Sequence, residues 1–270
     1  MSTLEYAKHL ALEHAPDAYN FMMLQAQHMN PYHNSDHCLL VGYHAWAAAS
    51  YDHASYALRK MALVAGLLHD IGHSGGQHAD VSNVGYALER ISKELRSERG
   101  STLVLSNYQN VVKEAIRCTM YDAVQKKFPV EPSHDLGRWL RDADLCMIYT
   151  PEGRRLLDGL ALEVTPADRH PLQWTAHMAG EWVAQNEVFL LRQTMFSPYG
   201  KDLRNDHISA ATRAYLYESA DRVAREWNQP VASVRVDLFQ AFATKKEAMS
   251  AEWRAALNAA TSFGDQNDQA

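Results

Sequence analysis

An all-α fold follows from three features of this 270-residue chain. Apolar residues recur at helical spacing, as Leu4, Ala7, Leu10 and Ala11 do. Helix formers are abundant while Gly and Pro number only 13 and 9. Strand-type alternation is hard to find. The length suits one sizeable core and no composition shift marks a boundary, so a single domain over 1–260 is expected.

In chain order, the first helix covers 3–15 and a second 16–30, with Phe21, Met22, Leu24 and Met29 as its core face. Asn30 followed by Pro31 reads as a cap and first helical residue, which opens a third helix there. That register sets His33 and His37 four residues apart on one face. The helix runs through Leu40, Val41 and Trp46 to about Ser50, and a polar stretch with Asp52 and His53 follows. The run MALVAGLLHDIGHSGG at 61–76 is apolar on more than one side, as in a helix through the middle of a bundle. It delivers His69 and Asp70 at its C-terminal end, and Gly72, Gly75 and Gly76 then turn the backbone away. His73 and His78 fall in that loop.

Asp80 or Ser82 caps a helix over 79–95, a surface loop occupies 96–102, and a helix over 106–123 turns Val111, Val112, Ala115 and Ile116 inward. After a loop at 124–135, a helix over 136–148 carries Leu140, Asp144, Leu145 and Ile148 on one face, whereas Asp142 points away from it. Asp144 is therefore preferred over Asp142 as a site residue. A short helix ending near Val164, a Pro-bounded segment to Pro171 and a long helix over 172–196 come next. The stretch SPYGKDLRND at 197–206 reads as a turn between that helix and one over 207–227. A last helix covers 232–259, and the polar tail 261–270 is expected to be disordered. There is no internal repeat.

The 26 basic and 32 acidic residues give a net charge of −6, which excludes a general affinity for nucleic-acid backbones or anionic membranes. Cys38, Cys118 and Cys146 are odd in number and set among apolar residues. They read as reduced core thiols and point to a cytoplasmic compartment. No signal segment is recognisable at the N-terminus, and no apolar run approaches the roughly 18 residues of a membrane span.

Function concentrates in an ordered series of histidines and aspartates: His33 and His37, then the His69-Asp70 pair, then Asp144. Placing such groups at the end of an apolar run is costly unless something binds them, and a metal ion is the usual partner. The His33/His37 spacing is that of the zinc-protease signature. Asn34 stands where that signature needs glutamate, which argues against a zinc peptidase.

This pattern resembles that of the HD-domain metal-dependent phosphohydrolases over roughly Asn30 to Tyr149. Within it, YHNSDH resembles the YHNxxH signature of class I cyclic-nucleotide phosphodiesterases, HDIGH resembles their metal-binding stretch, and ADL around Asp144 also matches. The chain is shorter than their catalytic domain and lacks the paired histidines expected after HDIGH. The resemblance implies an HD-domain, phosphodiesterase-like helical bundle. Its metal ligands would be His37, His69, Asp70 and Asp144, with one or two divalent ions (Zn, Mn, Mg or Fe) that Asp70 could bridge. His33 would protonate the leaving oxygen and His73 would lie near a second metal. Gln193 with Phe196 is the best candidate for the family's base clamp.

The substrate implied is a small nucleotide or other phosphoester, foremost a cyclic nucleotide hydrolysed as a phosphodiester. Three alternatives stay open: a nucleotide phosphomonoesterase or (d)NTP phosphohydrolase on the same site, a di-iron oxygenase with His73 or His78 as extra ligands, and a helical binding module without catalysis. A homodimer is compatible with the sequence.

Overall fold

A computed structural model of the protein describes residues 1–26, 29–97, 103–165 and 170–267, with side chains as far as Ala255. The fold is all-α. Among the described residues lie eleven α-helices, three short 3-10 segments and no strand, only an isolated antiparallel bridge between Asp122 and Lys127. The helices are α1 (Thr3–His14), α2 (Pro16–Gln25), α3 (Ser35–Tyr51), α4 (Tyr56–Leu68), α5 (Asp80–Leu95), α6 (Gln109–Arg117), α7 (Asp135–Cys146), α8 (Pro151–Val164), α9 (Ala176–Arg192), α10 (Pro198–Glu226) and α11 (Val231–Asn267). No described helix is long and apolar enough to cross a membrane.

The described chain forms two compact units, Met1–Pro166 with Met195–Ala211, and Ala167–Thr194 with Thr212–Ala270. In the first, α3, α4 and α7 pack on one another. α1 and α2 cover α3 and α4, α6 lies on α4 and α7, α5 on α6, and α8 on α3. Leu40, Leu63, Leu67, Leu68, Ile116, Leu136 and Leu140 are fully buried there. Each such side chain contributes roughly 1.5–3 kcal/mol by leaving water. The α3–α4 crossing is tight: a Cβ on Gly66 would stand 2.5 Å from the Cα of Gly42. Only a residue without a side chain lets the two backbones approach so closely.

In the second unit α9 packs along α11 through Val183, Ala184, Val188, Leu238 and Ala241. The buried Glu187 carboxylate meets Lys246 at 2.8 Å.

Caps account for most helix starts. Ser2 and Glu5 form a reciprocal capping box on α1, Ser55 accepts the Leu58 N–H on α4, and Thr175 accepts that of Met178 on α9.

Several expectations need correction. α2 stops at Gln25 and Ala26 is extended, so Met29 lies beyond the helix and is exposed. Leu24 is exposed as well, because it sits about 200° around the helix from fully buried Met22. The third helix opens at Ser35, not at Asn30. The Asn34 side chain accepts the Asp36 and His37 N–H groups that a helix start leaves orphaned. Neither Asp80 nor Ser82 caps α5, whose N-cap is Ala79; the Asp80 carboxylate accepts the Tyr121 N–H instead.

The stretch 197–206 is the beginning of α10, not a turn. The Ser197 hydroxyl accepts the Gly200 N–H, and Pro198 takes a first-turn position where a missing N–H costs nothing. α11 carries helical backbone through Asn267, into the stretch for which a disordered tail is expected; 268–270 lie outside the described residues, as do 98–102 of the surface loop and 166–169 of the Pro-bounded segment.

The three cysteines are buried and free, as their apolar surroundings led us to expect.

Candidate metal centre

Three helices of the first unit bring four buried or half-buried ligand-type side chains to one point. The first turn of α3 supplies His37, the C-terminal end of α4 supplies His69 and Asp70, and the last turn of α7 supplies Asp144. The Nε2 atoms of His37 and His69 face each other at 3.1 Å. Asp70 Oδ2 lies 3.2 and 3.0 Å from them, and Asp144 Oδ1 lies 3.4 and 3.6 Å from them.

These separations suit a common ion. Donor atoms about 2.0–2.2 Å from one metal, at tetrahedral or right angles, stand about 2.8–3.6 Å from each other. At 3.1 Å the two imidazole nitrogens need a proton or a metal ion between them. Among the described residues, His37, His69 and Asp70 form one of two groups that could hold a metal ion; the other is His33, His73 and Glu163.

Outer contacts aim these ligands. Nδ1 of His69 donates to the Gly66 carbonyl at 2.8 Å, which leaves the Nε2 lone pair available to a metal ion. The charge balance points the same way. Burial works against a charged His37 or His69, yet Asp144 and Asp70 raise both pKa values, that of His69 well above its ordinary value. Burial likewise opposes ionisation of Asp70 and Asp144, and the two histidines hold both carboxyls below the usual range. The group therefore requires positive charge at its centre, as protons or as a metal ion.

His33 does not share a helical face with His37, since it precedes α3. Glu163, near the end of α8, sets its position. One carboxylate oxygen accepts His33 Nδ1–H at 2.5 Å, and the other accepts the backbone N–H groups of Tyr32 and His33 at 2.8 and 3.0 Å. Burial disfavours a charged Glu163, but these hydrogen bonds, led by that from His33, keep its pKa low. With Nδ1 so engaged, His33 presents Nε2 to the metal-type group, 3.9 Å from Asp70 Oδ2.

His73 lies flat on the His33 ring, centroids 3.6 Å apart. Its nitrogens meet the Gly75 N–H at 3.1 Å and the Asn83 carboxamide at 2.8 Å. Burial lowers its pKa to about 4, so the stacked ring is neutral. His78 is exposed, with its ring against Tyr86.

The two aspartates of α7 part company. Asp144 joins the histidines, whereas Asp142 is fully buried and accepts the N–H groups of Phe196 and Ser197 and the Ser197 hydroxyl. Gln193 donates its amide to the Phe189 carbonyl, and Phe196 offers its N–H to Asp142.

Glu163 and Asn83 were not singled out from the sequence. Glu163 is 130 residues from His33 and ends an ordinary amphipathic helix, so only the folded chain discloses the pairing. Asn83 follows the glycine loop closely enough that a buried amide beside His73 was open to inference. No protein-family model and no curated protein matches the chain.

Proposed function

We propose that this protein is an HD-type metal-dependent phosphohydrolase that cleaves a phosphodiester, foremost that of a cyclic nucleotide. The observation that carries this reading is the His33–Glu163 pair, a proton donor held at 2.5 Å by its carboxylate and aimed at a group of ligand-type side chains. His37, His69, Asp70 and Asp144 would hold the ion. A divalent metal bound there supplies Lewis acidity, which brings the pKa of water towards neutrality and draws off charge from phosphoryl oxygens.

The chain's own residues supply the rest. Glu163 holds His33 Nδ1–H and sets the direction of the ring, so a protonated His33 carries its second, transferable proton on Nε2. Donated to the departing alkoxide, that proton spares the reaction a strongly basic leaving group. Glu163 then faces the remaining Nδ1–H and keeps the ring in place for reprotonation. Neutral His73 backs the other ring without adding charge.

Among the described residues every ion-pair partner of Asp70, Asp144 and Glu163 is a histidine, and no Lys or Arg joins them. The positive charge offered to a phosphate would then come from the divalent ion and from His33. A diester brings one negative charge for them to meet, whereas a triphosphate brings several.

The test is product chromatography of the metal-analysed protein with 2′,3′- and 3′,5′-cyclic nucleotides, nucleoside monophosphates and triphosphates, each with Mg, Mn or Zn. Conversion of a cyclic nucleotide to its monophosphate is the expected result. Phosphate release from monophosphates or triphosphates while cyclic compounds survive would replace the diester reading with a phosphomonoesterase or triphosphohydrolase.

A further inference from the structure

The loop that follows the His69-Asp70 pair touches the His33–Glu163 pair in three ways. His73 covers the His33 ring. Gly76, at φ +84, lies so close to α8 that a Cβ there would stand 2.1 Å from the Glu163 carbonyl oxygen. The third contact runs through Asn30. Its carboxamide nitrogen donates to the carbonyls of both His33, at 3.2 Å, and His73, at 2.8 Å. Its oxygen abuts Gly75, at φ +66, where a Cβ would stand 2.6 Å away. Asn34, the cap of α3, donates in turn to the Asn30 carbonyl at 3.0 Å.

From this we infer that Asn30 is a positioning residue for the proton donor: one amide bridges the turn that carries His33 to the loop that carries His73, and so sets where His33 Nε2 points. This rests on the reading of His33 as a proton donor. The physical basis is that the segment before α3 lacks regular hydrogen bonding, so the direction of the His33 side chain depends on a few side-chain contacts. Glu163 fixes Nδ1 and the two neighbouring N–H groups. Asn30 alone takes up the His33 carbonyl among the described contacts, and the same carboxamide nitrogen also bonds the His73 carbonyl in the glycine loop. The tight seat at Gly75 fixes the amide orientation, since any larger residue there would push the carboxamide away from both carbonyls.

Asn30→Asp is nearly isosteric and turns the shared donor into an acceptor facing two carbonyls. Two measurements decide. Crystal structures of wild type and Asn30→Asp are expected to show the His33–Glu163 hydrogen bond lost in the variant while α3 and α4 stay in place. The second is turnover of bis(p-nitrophenyl) phosphate, whose leaving group needs no proton, against 3′,5′-cyclic AMP, whose alkoxide does.

Asn30→Asp is expected to lower kcat on the cyclic nucleotide by about tenfold or more and to leave that on the nitrophenyl ester within about twofold, at wild-type metal content. Equal loss on both substrates, or a His33–Glu163 bond unchanged in the variant, would overturn the role. If Asn30→Asp does not fold, Gly75→Ala displaces the same carboxamide from the other side and is held to the same outcomes. A wild-type protein that cleaves neither ester defeats the phosphodiesterase reading, while the crystal structures still decide whether Asn30 holds the pair.

Discussion

Helix α3 carries a fully buried histidine in its first turn and another, His44, two turns further on, and the two positions put them to different use. His37 faces a second imidazole and two carboxylates within 3.4 Å, and the carboxylates raise its pKa against the effects of burial and of the neighbouring imidazole. Among the described residues His44 has a single hydrogen-bond partner, the Tyr199 hydroxyl at 2.8 Å, and burial drives its pKa down to about 4. Burial alone thus says nothing about function. The sign of the surrounding charge separates a histidine that attracts a cation from one that only fills the core.

The largest expected effect tests the cation-seeking end. Asp70→Ala removes the carboxylate nearest both imidazoles, and metal retained after dialysis should fall to about a tenth of the wild-type content or less, with turnover lost alongside. Wild-type metal content and rate in that variant would erase the distinction between the two histidines. His33→Ala should leave metal content intact and lower turnover of a cyclic nucleotide by about 10² or more, read from steady-state rates. Loss of metal in this variant would make His33 a ligand, not a proton donor.

The smallest effect belongs to His44 and shows only in acid. Its folded pKa of about 4 lies below the ordinary value near 6.5. Between those limits the unfolded chain takes up a proton that the folded chain refuses. Stability contributed by the neutral ring is therefore complete above about pH 6.5 and declines by roughly 2–3 kcal/mol as the pH falls to 4. Urea denaturation of wild type and His44→Phe, both with chelator present, should show a shallower decline in the variant. Parallel declines would mean that His44 takes up its proton in the folded state.

The parts of the site legible in the sequence are those written in periodicity. His69 and Asp70 stand where an apolar run ends, and the face of α7 distinguishes Asp144 from Asp142 without any coordinates. What stayed hidden depends on contacts between segments that share no pattern. The pairing of Glu163 with His33 joins an unremarkable helix end to a segment outside any helix. Asp142 lies off the apolar face of α7, and its partners Phe196 and Ser197 sit where an expected helix over 172–196 meets the expected turn at 197–206. The same misreading hid the start of α10: Ser, Pro and Gly are turn formers, yet at a helix's first residues they are also its best cap and opening. Met29 failed for another reason, since an apolar side chain past a helix end has no face to share.

The contact between Gly42 and Gly66 gives the site a calibration. Gly66 is both the crossing point of α3 and α4 and the carbonyl that holds His69, so the gap between the helices and the span between His37 and His69 are one adjustable length. A methyl group added at either glycine acts as a shim beneath the ligands. It would widen the bite of the pair. The span between two candidate ligands is then set in part by residues that touch neither of them.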